Sequence, residues 1–117
     1  STAYSDYWMS ESVAEYFGLR YVEKVLGPAE LKAMLDRKRP AVATGGPLIG
    51  VDHKPTGAAL YQKGPVLLFD LEARIGRPAL ERILAHPNPP DTTDAFLRAL
   101  GAEAGADVAK DFEARLK

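Results

Sequence analysis

The sequence predicts an all-α protein. Apolar residues recur at helical spacing along most of the chain, no segment keeps the period-2 alternation of a strand, and Gly and Pro fall at the joints between the periodic stretches. About six helices result. At 117 residues, 46% of them hydrophobic and 26% charged, the chain has the size and balance of one domain with a modest core.

Each helix has its own start and stop. Ser5 or Asp6 can cap a first helix that runs to about Leu26, where Gly27 stops it. Pro28 then suits the first position of a second helix, to about Arg39, and Pro40 ends it. The stretch AVATGGPLIGVDHKP (41–55) is rich in Gly and Pro without a sustained period, so a long loop is expected there. A third helix is expected from about Thr56 to Ile75, closed by Gly76, and a short fourth from Pro78 to about Ala85. The prolines of HPNPP (86–90) make a turn. Asp91 or Thr92 caps a fifth helix, which Gly101 is expected to terminate after Leu100, and a sixth runs from about Ala106 to Leu116. Leu67, Leu68, Leu71, Ile75, Leu80, Ile83, Leu84, Phe96, Leu97, Leu100, Val108, Phe112 and Leu116 recur at helical spacing and form the expected core.

Composition excludes several classes of function. The formal charge is −1 and no basic cluster forms a stripe, which argues against nucleic acid. No apolar run reaches the roughly 20 residues that cross a bilayer, and STAYSDYW lacks the pattern of a signal peptide, so no membrane partner is expected. Without cysteine, disulfides, thiolate nucleophiles and cysteine-held zinc are ruled out. A cytoplasmic location is compatible with this. The chain starts with Ser in what reads as a loop entering a helix, and a piece of a longer protein is expected. His53 and His86 lie in loops, 33 residues apart and outside any metal-binding spacing; both read as solvated. Lys32, Arg37, Lys38 and Arg39 read as the wet face and cationic end of the second helix.

The first helix poses the main question. At 100° per residue, Trp8, Ala14, Gly18, Leu19, Val22, Val25 and Leu26 share one broad arc, on which Glu11 and Glu15 are the only charges. Arg20, Glu23, Lys24 and Ser10 lie on the opposite side, which also carries Met9, Val13, Tyr16 and Phe17, so the helix reads as covered nearly all round. A buried carboxylate without a partner costs several kcal/mol, so Glu11 and Glu15 should face a cation, a metal or a set of donors. Arg or Lys from another helix, or a partly wet arc, would satisfy them equally.

Three segments, in order, resemble one family. WMSESVAEYF (8–17) is similar to the WLNEGFAxYF stretch of the aminopeptidase N family of zinc metallopeptidases, gluzincins that include leukotriene hydrolase. YQKGPVLLFDLEARIG (61–76) resembles that family's YEKGAxVLxxLExxIG stretch, about fifty residues on. Asp94, Ala95, Phe96 and GADVAKDFEARL (105–116) are similar to its closing pattern, in which a glycine and an acidic residue precede a helix.

The resemblance implies a thermolysin-like metallopeptidase catalytic domain, of which residues 1–117 would be the C-terminal helical lobe. It implies that Glu11 is the third zinc ligand, an anion that partly neutralises the metal and leaves a position for water. Glu15, one turn on, would accept the ring N–H of a ligating histidine. Tyr61 would be the catalytic tyrosine, a neutral donor aimed at the oxyanion of an attacked peptide carbonyl. Ser12 stands where the family has Gly; Met9 and Ser10 replace Leu and Asn. Pro65 adds a clue from the residues themselves, since it has no N–H for the carbonyl of Tyr61, so the helix should kink or break there. HExxH is absent, and with it two zinc ligands and the general base; the substrate-amine motif GxMEN is absent too. One glutamate does not hold zinc tightly. The expectation is a lobe inactive alone, which in the intact enzyme meets peptide substrates beside the missing HExxH-bearing half and, when bare, has a cleft wall open to self-association. A non-enzymatic helical interaction module and a hydrolase of the same architecture with a non-peptide substrate are the alternatives.

Overall fold

The structure, a computed structural model, describes residues 4–117. Six helices of eight residues or more carry the fold, and no strand occurs among the described residues. They are α1 (Tyr7–Leu26), α2 (Pro28–Lys38), α4 (Gly64–Ile75), α5 (Arg77–Leu84), α6 (Thr93–Ala104) and α7 (Ala106–Leu116), with a four-residue α3 (Ala41–Thr44) inside the stretch expected to be loop. Its carbonyl at Ala41 accepts from Gly45, whose own position is buried.

Punctuation sets most of these bounds. Gly27 and Gly76 take φ of 94° and 91°, open to glycine at little cost, and each precedes a helix with proline in its first turn. The fifth expected helix runs past its expected end. Gly101 stays helical, and Gly105, at φ 102°, makes the turn into α7. A Cβ at Gly101 would meet the Cβ of Ala109 at 3.8 Å, an ordinary contact, so the helix has room for a side chain there and neither the turn nor the packing of α7 requires glycine. Thr92 caps α6 with its side chain, accepting from the N–H of Ala95. Asp6 precedes α1 without capping it; its carboxylate accepts instead from the N–H of Thr93 at 2.8 Å.

One core joins the helices. Trp8 lies at its centre, edge-on to Phe96 at 5.3 Å and tilted against Phe112 at 5.8 Å, with its indole N–H donating to Thr93 at 2.8 Å. This locks the start of α1 onto α6 and α7. One turn on, Ser12 packs on Gly64, and further along the Tyr16 ring lies tilted against Phe69 at 4.7 Å, which lays α1 along α4. Of the core expected from spacing, Ile75, Leu97 and Val108 are partly buried against the cluster and the others are buried within it.

The covered side of α1 differs from the expected arc. Trp8, Met9, Ser12, Tyr16 and Leu19 are buried, whereas Ala14 and Gly18 are exposed and Val25 and Leu26 stand 57% and 65% exposed. Arg20 explains much of the shift. Its guanidinium lies 4.9 Å over the Phe69 ring and pairs with Glu72 and Glu23, so the side that looked polar is drawn into the α1–α4 contact.

Candidate functional site

Glu11, Glu15 and Tyr61 come together on the open side of α1. The phenol of Tyr61 donates to Glu11 Oε2 at 2.9 Å, across 50 residues of sequence. Tyr61 remains 42% exposed and Glu11 is half-buried, so both groups reach solvent. Glu11 raises the phenol above its ordinary pKa of 10.0, first because the hydrogen bond needs the proton and then, after a burial contribution, because a carboxylate opposes a phenolate; Glu15 adds to this repulsion.

Tyr61 is aimed by irregular backbone. Residues Ala59–Lys63 form a π turn in which the N–H of Gly64 bonds the carbonyl of Ala59, five residues back. That bond takes Gly64 from Leu60, and Pro65 has no N–H to offer Tyr61. Two carbonyls thereby lose their α-helical donors. Side chains from other helices take both: Ser12 Oγ donates to the Leu60 carbonyl at 2.6 Å, and Lys38 Nζ donates to the Tyr61 carbonyl at 2.8 Å. The expected break at Tyr61 is thus a π turn, a feature frequent at functional sites.

Glu15 finds a cation. Lys38 Nζ lies 3.3 Å from Glu15 Oε1, so one ammonium bridges the end of α2, the carboxylate on α1 and the carbonyl in the π turn. Spacing placed Lys38 on a wet helix face, and its use at the site went unread. The missing N–H of Pro65 was the available signal, because it orphans a carbonyl that some donor must meet.

Lys63 is the second residue that sequence reading passed over. It is only 5% exposed and donates to the carbonyl of Gly46 at 2.8 Å, tying the loop 45–56 to the π turn. Burial, with Arg115 adding like charge, lowers its pKa from the usual 10.5.

Ser12 stands where close helix contact is needed. Its Oγ would lie 2.0 Å from a Cβ on Gly64, so it is glycine on α4, facing the serine on α1, that lets the helices meet beside Glu11. His53 and His86 are exposed, with Nδ1 near the Lys54 carbonyl and accepting from the N–H of Asn88, respectively. Among the described residues no three His, Cys, Asp or Glu side chains are grouped to hold a metal. Glu11 alone does not fit a zinc ion, which takes at least three protein ligands. A cavity of about 390 Å³ lies elsewhere, between Ser5, Ile49, Thr93 and Glu113, and includes neither Glu11 nor Tyr61.

Beside the site the surface is apolar. Ala14, Phe17, Gly18, Tyr21 and Val25 follow one another at helical spacing along the outer face of α1, with Tyr21 67% exposed. No helix among the described residues is long and apolar enough to cross a membrane. No model of a protein family, no curated protein and no solved structure matches this chain.

Proposed function

We propose that the chain is the C-terminal helical lobe of a zinc aminopeptidase catalytic domain, contributing Glu11 and Tyr61 to a cleft whose other wall carries HExxH. The observation that carries this reading is the 2.9 Å contact between a carboxylate and a phenol brought together from α1 and a π turn. Both stand at a surface that offers further ligands room to approach. Because the described residues do not make a metal site by themselves, the zinc would need its other ligands from outside this chain. Tyr61 supplies a neutral donor, a phenol protonated at neutral pH whose pKa Glu11 raises further, for charge developing on a substrate oxygen. The reaction class is hydrolysis of N-terminal residues from peptides. Glu15 as the acceptor for a ligating histidine fits less well, since Lys38 occupies it here.

Zinc content and release of a chromogenic amine from an aminoacyl substrate, measured on the bare chain and on the chain joined to its natural upstream sequence, test the proposal. The extended protein should bind one zinc and cleave; Glu11→Gln should lose the metal, and Tyr61→Phe should lower kcat about a hundredfold or more with the metal retained. Stoichiometric zinc or peptide cleavage by the bare chain overturns it. Cleavage of a non-peptide substrate alone would reassign the chemistry within the same architecture.

One observation favours a second reading. The outer face of α1 is apolar and open, as an interaction module or a self-associating cleft wall would be. An extended protein without zinc or hydrolysis would select that reading.

A further inference from the structure

We propose that Lys38 is a positioning residue for Tyr61, holding the π turn so that the phenol points at Glu11. The proposal deepens the reading above, in which Tyr61 is the donor, by naming what aims it.

The geometry leaves Lys38 this task. Pro65 withholds an N–H from the Tyr61 carbonyl, and the ammonium of Lys38 replaces it at 2.8 Å. The same ammonium meets Glu15 at 3.3 Å, four residues from Glu11 on the helix that carries the phenol's acceptor. One cation therefore fixes the backbone of Tyr61 to α1, and the side chain spans the remaining distance to Glu11. Ser12 makes the companion bond to Leu60, but it is buried within the α1–α4 contact and serves packing as well. Lys38 sits at the last residue of α2 with its side chain 17% exposed, so its stem is packed as well, and Lys38→Met keeps that stem while removing the ammonium.

The consequence is geometric. Glu11, Glu15, Lys38 and Lys63 are the charged groups at this turn; Lys63 holds the loop through the Gly46 carbonyl, while Lys38 ties the Tyr61 carbonyl to Glu15. In a chain labelled with ¹³C and held at neutral pH, with Tyr61 assigned through Tyr61→Phe, nuclear Overhauser contacts between the Tyr61 ring and the Glu11 side chain report the aim directly. Lys38→Met should lose those contacts, and Lys38→Arg, which keeps charge and donor, should restore them. Lys38→Gln, polar but too short to reach both partners, should lose them with Lys38→Met and serves if that variant does not fold. Contacts undiminished in a folded Lys38→Met or Lys38→Gln overturn the proposal. The measurement requires neither zinc nor substrate, so its failure is separate from that of the aminopeptidase reading, which fails on metal content and cleavage. In an active extended protein, Lys38→Met should lower kcat tenfold or more with KM little changed.

Discussion

Ser12 and Gly64 meet more closely than two residues with Cβ atoms can. An added methyl on Gly64 would sit 2.0 Å from the serine oxygen and 2.5 Å from its Cβ, so Gly64→Ala must push α1 and α4 apart or turn Ser12 off the Leu60 carbonyl. Overpacking of this kind costs about 1–3 kcal/mol. Placing glycine at position 12, as the resembled family does, removes the obstructing atoms. Ser12→Gly combined with Gly64→Ala should therefore be more stable than the two single changes sum to, as a double-mutant cycle in urea would read. Equal sums would mean the helices do not meet through this pair.

Lys63 supplies a pH prediction at the same scale. Its folded pKa lies below the unfolded 10.5, so near neutrality the folded chain carries the cost of a buried charge, and the unfolded chain binds more protons as pH approaches 10.5. Stability therefore rises with pH through the window just below 10.5. The unfolding free energy of the natural chain should gain on that of Lys63→Met over this window, measured by denaturant titration at several pH values. Tyr61 works in the opposite sense: its folded pKa is raised, so its contribution is whole below about pH 10 and lost as pH rises through the folded value. That trend is common to both chains and cancels in the comparison.

At the scale of elements, two glycines four residues apart do opposite work. Gly101 lies inside α6 with room for a methyl, whereas Gly105 turns the chain into α7 at φ 102°. Gly101→Ala should stabilise by up to about 1 kcal/mol, the usual gain of alanine over glycine within a helix. Gly105→Ala should destabilise by about 1 kcal/mol or more, since a Cβ disfavours that φ. Thermal unfolding of the two variants should move in opposite directions. The pair also explains an error in reading the sequence, because Gly101 was expected to end the helix. A glycine in the one-dimensional pattern does not by itself mark a helix end; the backbone does, and here Gly105 takes the positive φ while Gly101 stays helical. Where the stop signal was doubled, as in Gly27–Pro28 and Gly76 followed by Pro78, the boundaries held to within a residue.

At the scale of the molecule, the all-α class and the core were legible because Leu, Ile and Phe at helical spacing can be buried only on one side of each helix. The contact of Glu11 with Tyr61 was legible in part: spacing put Glu11 on α1, and Pro65 marked Tyr61 as the site of irregular backbone. The partners of that backbone were not, since Lys38 and Ser12 reach it from helices whose relative placement no local pattern encodes. The orientation of α1 was misread for a related reason. A helix apolar on most sides does not say which side is covered, and Arg20, counted as outward, lies over Phe69.

Trp8 and Tyr21 are both large aromatics on α1, yet Trp8 is buried among Phe96 and Phe112 while Tyr21 is 67% exposed. Trp8→Ala should cost about 3–5 kcal/mol, the range for a buried aromatic. Tyr21→Lys with Val25→Lys should change the stability of the folded chain by about 0.5 kcal/mol or less each, because neither side chain is in the core. Their effect belongs to association. The stripe from Ala14 to Val25 has no charge along its centre, and sedimentation should show the natural chain associating at concentrations where the double lysine variant stays monomeric. If the stripe is instead the wall that another segment of the intact protein covers, the same two lysines should cost an extended protein several kcal/mol while leaving this chain unmoved. The difference between those two measurements states what α1 is built to face.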